Sequence, residues 1–120
     1  MRALLTLIGS LLVVGCWSNK LVKEQSLTEK IVGTYERKEG NATFKSVFLA
    51  NGVCEEYLDG AKKVEFEWKI IGEEVVLYGL LADVFCNIET NGDLTAIAME
   101  ANGERHQIPK GLQLTLKKIK

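Results

Sequence analysis

Hydrophobic and charged residues alternate strictly along Val64-Glu65-Phe66-Glu67-Trp68-Lys69-Ile70. This alternation is typical of a β-strand with one buried and one solvated face, so Val64, Phe66, Trp68 and Ile70 are predicted to point inward. Comparable stretches raise the expected number of strands to about nine. The other strands are predicted at Val32–Arg37, Thr43–Ala50, Val53–Leu58, Glu74–Tyr78, Asp83–Glu89, Leu94–Glu100, Glu104–Ile108 and Leu112–Ile119.

Turn signals separate these strands every eight to twelve residues, a spacing typical of all-β folds. Asn or Asp followed by Gly is the strongest hairpin signal, because these residues tolerate positive φ angles. Such pairs occur at Asn51-Gly52, Asp59-Gly60, Asn91-Gly92 and Asn102-Gly103, with further turns at Glu39-Gly40-Asn41 and Ile71-Gly72-Glu73. The pattern predicts an all-β antiparallel up-and-down meander that forms a small barrel of eight to ten strands, since closure removes exposed sheet edges. A β-sandwich is the alternative.

The N-terminal segment follows a different pattern. An apolar run from Ala3 to Val14 follows Arg2 and has the length of a signal-peptide core, well short of the roughly 20 residues that span a bilayer. It ends in Leu12-Val13-Val14-Gly15-Cys16, which resembles the bacterial lipobox. The resemblance implies attachment of a diacylglycerol to the Cys16 thiol, cleavage between Gly15 and Cys16, and often acylation of the new amine, with palmitate as an expected acyl chain.

A lipid-anchored location in the bacterial cell envelope follows from this resemblance, because two or three acyl chains hold a domain on a bilayer. An ordinary secretory signal with a chance cysteine, or a retained apolar segment, are the alternatives. Trp17 stands where Asp would mean inner-membrane retention in enterobacterial lipoproteins, which favours the periplasmic side of the outer membrane in a two-membrane organism. The expected organisation is a signal peptide over residues 1–15, a lipidated tether over 16–30 and a β-barrel domain over 31–120.

Residues 31–79 carry a second resemblance. The motifs are Ile31-x-Gly33-Thr34-Tyr35, Phe48-Leu49-x-Asn51-Gly52, Trp68-x-Ile70-x-Gly72 and Val75-x-Leu77. They resemble the lipocalin-like domains of small bacterial lipoproteins, with Tyr35 in place of the usual tryptophan. The resemblance implies an antiparallel barrel open at one end, which often binds a small apolar molecule.

Catalytic signals are weak. The single histidine, His106, has no nucleophile motif beside it, and the pairs Glu55-Glu56 and Glu73-Glu74 would face opposite sides of a strand. We therefore expect no enzyme activity, no cofactor and no metal site. Fifteen Lys and Arg residues against sixteen Asp and Glu give a net charge of −1, so nucleic acid is not an expected partner.

Two cysteines remain beside Cys16. Cys54 and Cys86 are predicted either to form a disulfide or to serve as buried apolar thiols, with a reactive or metal-binding role as the third alternative. The aromatic residues also allow two interpretations. If Asn51-Gly52 alone joins Ala50 to Val53, Phe48 and Tyr57 share a face beside Phe66 and Trp68. These four residues then either fill the core or line a ligand pocket.

Two hypotheses for function remain. In the first, an anchored, non-enzymatic barrel binds a small hydrophobic ligand, which predicts an open apolar cavity. In the second, the barrel is a protein interaction module of the envelope, either an inhibitor or an assembly accessory. That hypothesis predicts a filled barrel and an exposed patch on a loop.

Overall fold

The computed structural model describes residues 26–120. Residues 26–31 are helical, and a short 3-10 turn lies at Lys110–Leu112. Within this part of the chain there are nine strands: β1 Gly33–Glu39, β2 Ala42–Phe48, β3 Val53–Leu58, β4 Ala61–Ile71, β5 Glu74–Tyr78, β6 Asp83–Ile88, β7 Leu94–Ala101, β8 Glu104–Gln107 and β9 Thr115–Lys118. The predicted signal peptide, the lipobox and the first part of the tether lie outside the described residues.

The strands form a closed antiparallel barrel. Strands β1 to β7 pair in chain order, and β9 lies between β7 and β1, so eight strands complete the ring. Strand β7 has two neighbours on its β9 side: Leu94 and Thr95 pair with β9, whereas residues 98–101 pair with β8. The barrel with one extra strand, β8, confirms the predicted all-β barrel, and the sandwich alternative is not adopted.

The predicted turn dipeptides all connect consecutive strands. Asp59-Gly60 and Asn102-Gly103 form two-residue loops in which Asp59 has a φ of 50° and Asn102 a φ of 54°. These left-handed conformations are the reason that Asn, Asp and Gly favour tight hairpins.

The loop at Asn51-Gly52 is one residue longer than predicted. The Leu49 amide donates to the Val53 carbonyl at 2.8 Å, and the Gly52 amide donates to the Leu49 carbonyl at 3.2 Å, so Ala50 belongs to the loop. Phe48 consequently pairs with Cys54 rather than lying in register with Val53 and Tyr57. The prediction that Phe48 and Tyr57 share a face is therefore wrong, because one extra loop residue moves every side chain of β3 to the opposite face.

The last strand is also shorter than predicted. Leu112 lies in the 3-10 turn, where its amide donates to the Pro109 carbonyl at 2.8 Å, and its side chain is exposed. Only residues from Thr115 onward are extended as a strand.

The core fills one end of the barrel, which we call the closed end. Tyr35, Phe48 and Trp68 pack edge to face, with ring centroids 5.1 Å apart for the first pair and 5.5 Å for the second. Ile31, at the end of the helical segment, is fully buried against them. The Tyr35 hydroxyl donates to the Ile31 carbonyl oxygen at 2.7 Å. The helical segment is thus fixed as a plug in this end of the barrel.

A smaller apolar cluster lies on the outer face of β5, β6 and β7. Val76, Phe85 and Ala98 are buried there although they point away from the barrel interior. Arg105 of β8 covers them: its guanidinium lies 4.5 Å from the centre of the Phe85 ring and makes two 2.9 Å hydrogen bonds to the Glu74 carboxylate. Strand β8 therefore shields a part of the barrel wall that would otherwise be exposed.

Candidate binding site at the barrel mouth

The barrel interior changes character from one end to the other. Strand pairing places six inward-facing side chains toward the end opposite the helical plug, and we call this group the mouth: Arg37, Phe44, Glu56, Leu58, Val64 and Phe66. All six are partly exposed, whereas Tyr35, Phe48 and Val75 at the closed end are 0% exposed. Exposure of the inward-facing side chains therefore increases from Tyr35, Phe48 and Val75 toward the mouth.

The mouth combines an apolar lining with two charged groups. The Arg37 guanidinium lies 4.3 Å from the centre of the Phe44 ring. On the next strand, Glu56 accepts a 3.3 Å hydrogen bond from the hydroxyl of buried Ser46. Each of the two charged groups thus has an interaction partner within the barrel. Such a site suits a small molecule with an apolar body and a polar group.

Arg37 retains unused donor capacity. Its Nη1 atom is buried and lies 2.9 Å from Glu39 Oε1, an ion-pair distance, yet it makes no hydrogen bond of good geometry to any residue in 26–120. The Glu39 side chain is 58% exposed, so solvent screens this ion pair. The guanidinium is consequently able to donate to a further acceptor.

The structure separates the four residues predicted to line a pocket. Phe48 and Trp68 belong to the tightly packed closed end, where the Trp68 indole nitrogen donates to the Leu49 carbonyl at 3.0 Å. Phe66 lies in the mouth. Tyr57 lies on the outer face, where its hydroxyl donates to Glu55 Oε1 at 3.2 Å.

The sequence predicted that Val64 points inward but did not identify Arg37, Glu56 or Leu58 as part of a site. Phe44 and Leu58 alternate in phase with core residues of their strands, and this periodicity alone could have identified them as inward-facing. Nothing in the local sequence marks Arg37 as inward-facing, because a charged residue near a turn is usually solvated.

The two cysteines of the barrel are free thiols. Cys54 and Cys86 are both about 1% exposed and belong to the same core cluster. Burial, reinforced by the carboxylate of Glu56, raises the pKa of Cys54 to about 12. Burial, with a contribution from Glu74, raises the pKa of Cys86 to about 12 as well. Because the thiolate is the reactive form of cysteine, both side chains act as small apolar core residues.

The acidic pairs and the histidine lie at the surface or face apart. Glu55 bonds to Lys62 at 2.9 Å on the outer face, and this hydrogen bond lowers the pKa of Glu55, whereas Glu56 points into the mouth. His106 is 68% exposed and lies 3.5 Å from Glu104.

Among residues 26–120, no three His, Cys, Asp or Glu side chains are grouped so that they could hold a metal ion. Over the same range, no helix has both the length and the apolar character needed to cross a bilayer.

Comparison with known proteins adds no family to this description. No protein-family model, curated protein or solved structure matches the chain.

Proposed function

We propose that this protein is a lipid-anchored lipoprotein of the bacterial cell envelope with a lipocalin-like barrel that binds a small hydrophobic ligand without catalysing a reaction. The observation that carries the proposal is the gradient of burial along the barrel interior. Tyr35, Phe48 and Val75 are 0% exposed at the closed end, while Phe44, Leu58, Val64 and Phe66 remain partly exposed toward the mouth. Covering these partly exposed apolar side chains with a ligand removes them from water, which favours binding.

The position of the helical segment supports the same proposal. Residues 26–31 lie at the closed end, where the Lys118 ammonium donates to the Lys30 carbonyl and Tyr35 to the Ile31 carbonyl. A tether from an acylated Cys16 would therefore enter the domain at the end opposite the mouth. An anchored barrel of this kind leaves the mouth clear of its own anchor.

The first experiment is native mass spectrometry of the protein purified in mild detergent from its own membranes. The expected mass corresponds to a chain that begins at an acylated Cys16, with one additional small molecule that dissociates on activation. An unmodified full-length mass would refute the lipoprotein assignment. A lipoprotein mass without an adduct would count against the ligand.

A pair of variants locates the ligand. Phe66→Ser removes an aromatic side chain from the mouth, whereas Tyr57→Ser removes one from the outer face of the neighbouring strand. We expect the adduct to be lost in Phe66→Ser and kept in Tyr57→Ser, provided that both variants retain the wild-type circular dichroism spectrum. Retention of the adduct in folded Phe66→Ser would exclude the mouth as the binding site.

A specific observation favours protein interaction as a second function. Leu80 and Leu81, in the hairpin between β5 and β6, are 96% and 94% exposed, and the hairpin lies at the same end as the mouth. Adjacent leucines with this exposure are typical of a contact surface. A photo-crosslinking residue at position 80 is expected to capture one defined envelope protein in native membranes. The same residue at position 102, on a neighbouring hairpin, should not, and equal labelling at both positions would contradict this second function.

A further inference from the structure

The seam that closes the barrel is incomplete. Strand β1 pairs with β2 along all seven of its residues, from Gly33 to Glu39. On its other side it pairs with β9 only at Tyr35 and Glu36. On this second side, residues 37–39 therefore continue β1 as a strand edge that no strand within residues 26–120 covers.

The direction of the backbone groups shows which of them face this gap. The Thr34 amide donates to the Lys120 carbonyl at 3.3 Å, and the Ile119 amide donates to the Thr34 carbonyl at 2.9 Å, so Thr34 points toward β9. Because backbone groups alternate in direction along a strand, Glu36 and Lys38 point the same way. The pairing with β9 ends at Glu36, so the amide and carbonyl of Lys38 open onto the gap.

A cleft of about 550 Å³ lies along this edge, and we call it the seam cleft. Residues 36–39 form one side, and Gln113, Leu114 and Thr115 form the other. Leu114 is 46% exposed and offers an apolar contact. Lys38 and Lys117 are balanced by Glu36 and Asp93, so the lining does not select for ligands of one charge sign.

We propose that the seam cleft binds an extended segment of a partner polypeptide, which adds to β1 as a strand through the backbone of Lys38. An extended peptide matches the site because its amide and carbonyl groups recur at the spacing of a strand edge, and alternate side chains point toward and away from the barrel. One such side chain would lie against Leu114. This binding does not depend on a ligand in the mouth.

The backbone geometry supplies a selective variant. Lys38→Pro removes the amide that faces the cleft, and this amide takes no part in the pairing between β1 and β2, so proline at this edge position is compatible with the fold. Gln107→Pro is the matched control, because it lies on β8, whose far edge also lacks a neighbouring strand in the described part of the chain.

The test uses the full-length protein and a random peptide library displayed on phage. Enriched peptides are synthesised and titrated by calorimetry against wild-type protein and the Lys38→Pro, Gln107→Pro and Phe66→Ser variants. We expect binding to weaken by about tenfold or more in Lys38→Pro, as for loss of one hydrogen bond, and to be unchanged in the other two variants. Normal binding by Phe66→Ser separates this proposal from the function proposed for the mouth.

Amide hydrogen exchange gives a second measurement, and it uses only the wild-type protein. The amide of Lys38 in the wild-type protein should exchange rapidly alone and slowly with bound peptide, whereas the amide of Gln107 should not change. Failure to enrich any peptide would overturn the proposal. So would equal affinity of folded Lys38→Pro, or bound peptide that leaves the exchange of Lys38 unaltered.

Discussion

Tyr35 performs two structural roles. Its ring is 0% exposed and packs against Phe48, while its hydroxyl reaches past the end of β1 to the Ile31 carbonyl oxygen. A buried hydroxyl without a partner would be unfavourable, so this hydrogen bond is what allows a tyrosine in the core. The same bond joins the barrel to the helical segment, because Ile31 is the last helical residue. This hydrogen bond therefore contributes to holding the plug in the barrel, together with burial of Ile31.

Tyr35→Phe should destabilise the protein by about 1–3 kcal/mol, because the buried Ile31 carbonyl loses its hydrogen-bond donor. Tyr57→Phe is the control, since it removes a similar hydroxyl from a partly exposed pair with Glu55 and should change stability by about 0.5 kcal/mol or less. Urea denaturation measures both variants. Equal losses would contradict the structural role assigned to the Tyr35 hydroxyl.

At the scale of elements, strands and turns were largely predictable from sequence, whereas register was not. Alternation around Phe66 and Trp68 identified β4, and Asp59-Gly60 gave its two-residue loop as expected. Asn51-Gly52 carries the same signal but forms a three-residue loop. The three-residue loop is contacted by Trp68, a residue of β4 that is distant in sequence. The Trp68 amide donates to the Gly52 carbonyl at 2.9 Å, and the Trp68 indole donates to the Leu49 carbonyl. Local sequence contains no information about such contacts.

Gly33 begins β1 with a φ of 149°, a conformation that side chains rarely adopt. A Cβ atom there would overlap the carbonyl oxygen of Lys120, which lies beside the start of β1. Gly33→Ala is expected to cost about 2–3 kcal/mol in unfolding free energy.

Gly40→Ala provides the comparison for that variant. Gly40 also has a positive φ, of 56°, but no atom lies within 4 Å of its hypothetical Cβ. This substitution should cost about 1 kcal/mol, from backbone conformation alone. If denaturation showed the same loss for both variants, close approach of Lys120 would not be the reason for glycine at Gly33.

At the scale of the whole molecule, the mouth depends on features that no short stretch of sequence contains. Phe48 and Phe44 occupy equivalent inward positions on β2, yet one is fully buried and the other partly exposed. The difference arises because the helical segment fills only the end near Phe48. Periodicity predicts which residues point inward, but which end of the interior is less buried depends on where the plug packs.

The whole molecule should lose stability at alkaline pH. Burial raises the pKa of Tyr35 from its ordinary value of 10.0 to about 12. Burial also raises the pKa values of Cys54 and Cys86 from 9.0 to about 12. Above pH 9 the unfolded chain releases these protons before the folded protein does, so the free energy of unfolding decreases as pH rises toward 12. Each group contributes up to about 1.4 kcal/mol per pH unit.

Denaturation midpoints measured from pH 8 to 11 check this expectation. Cys86→Ala should be less stable than wild type at pH 8 but show a shallower decline, because one of the three groups is gone. A wild-type stability that stays constant up to pH 11 would contradict the assignment of these groups as buried and neutral.

The seam between β1 and β9 also has a consequence for synthesis. Tyr35 and Lys118 pair although more than eighty residues separate them. At a translation rate of 5–20 residues per second, β1 would wait about 4–16 s for the strand that completes the ring. Throughout that interval its edge is available to other nascent chains. The yield of correctly assembled protein should therefore depend on what shields this edge between the emergence of the first strand and that of the ninth.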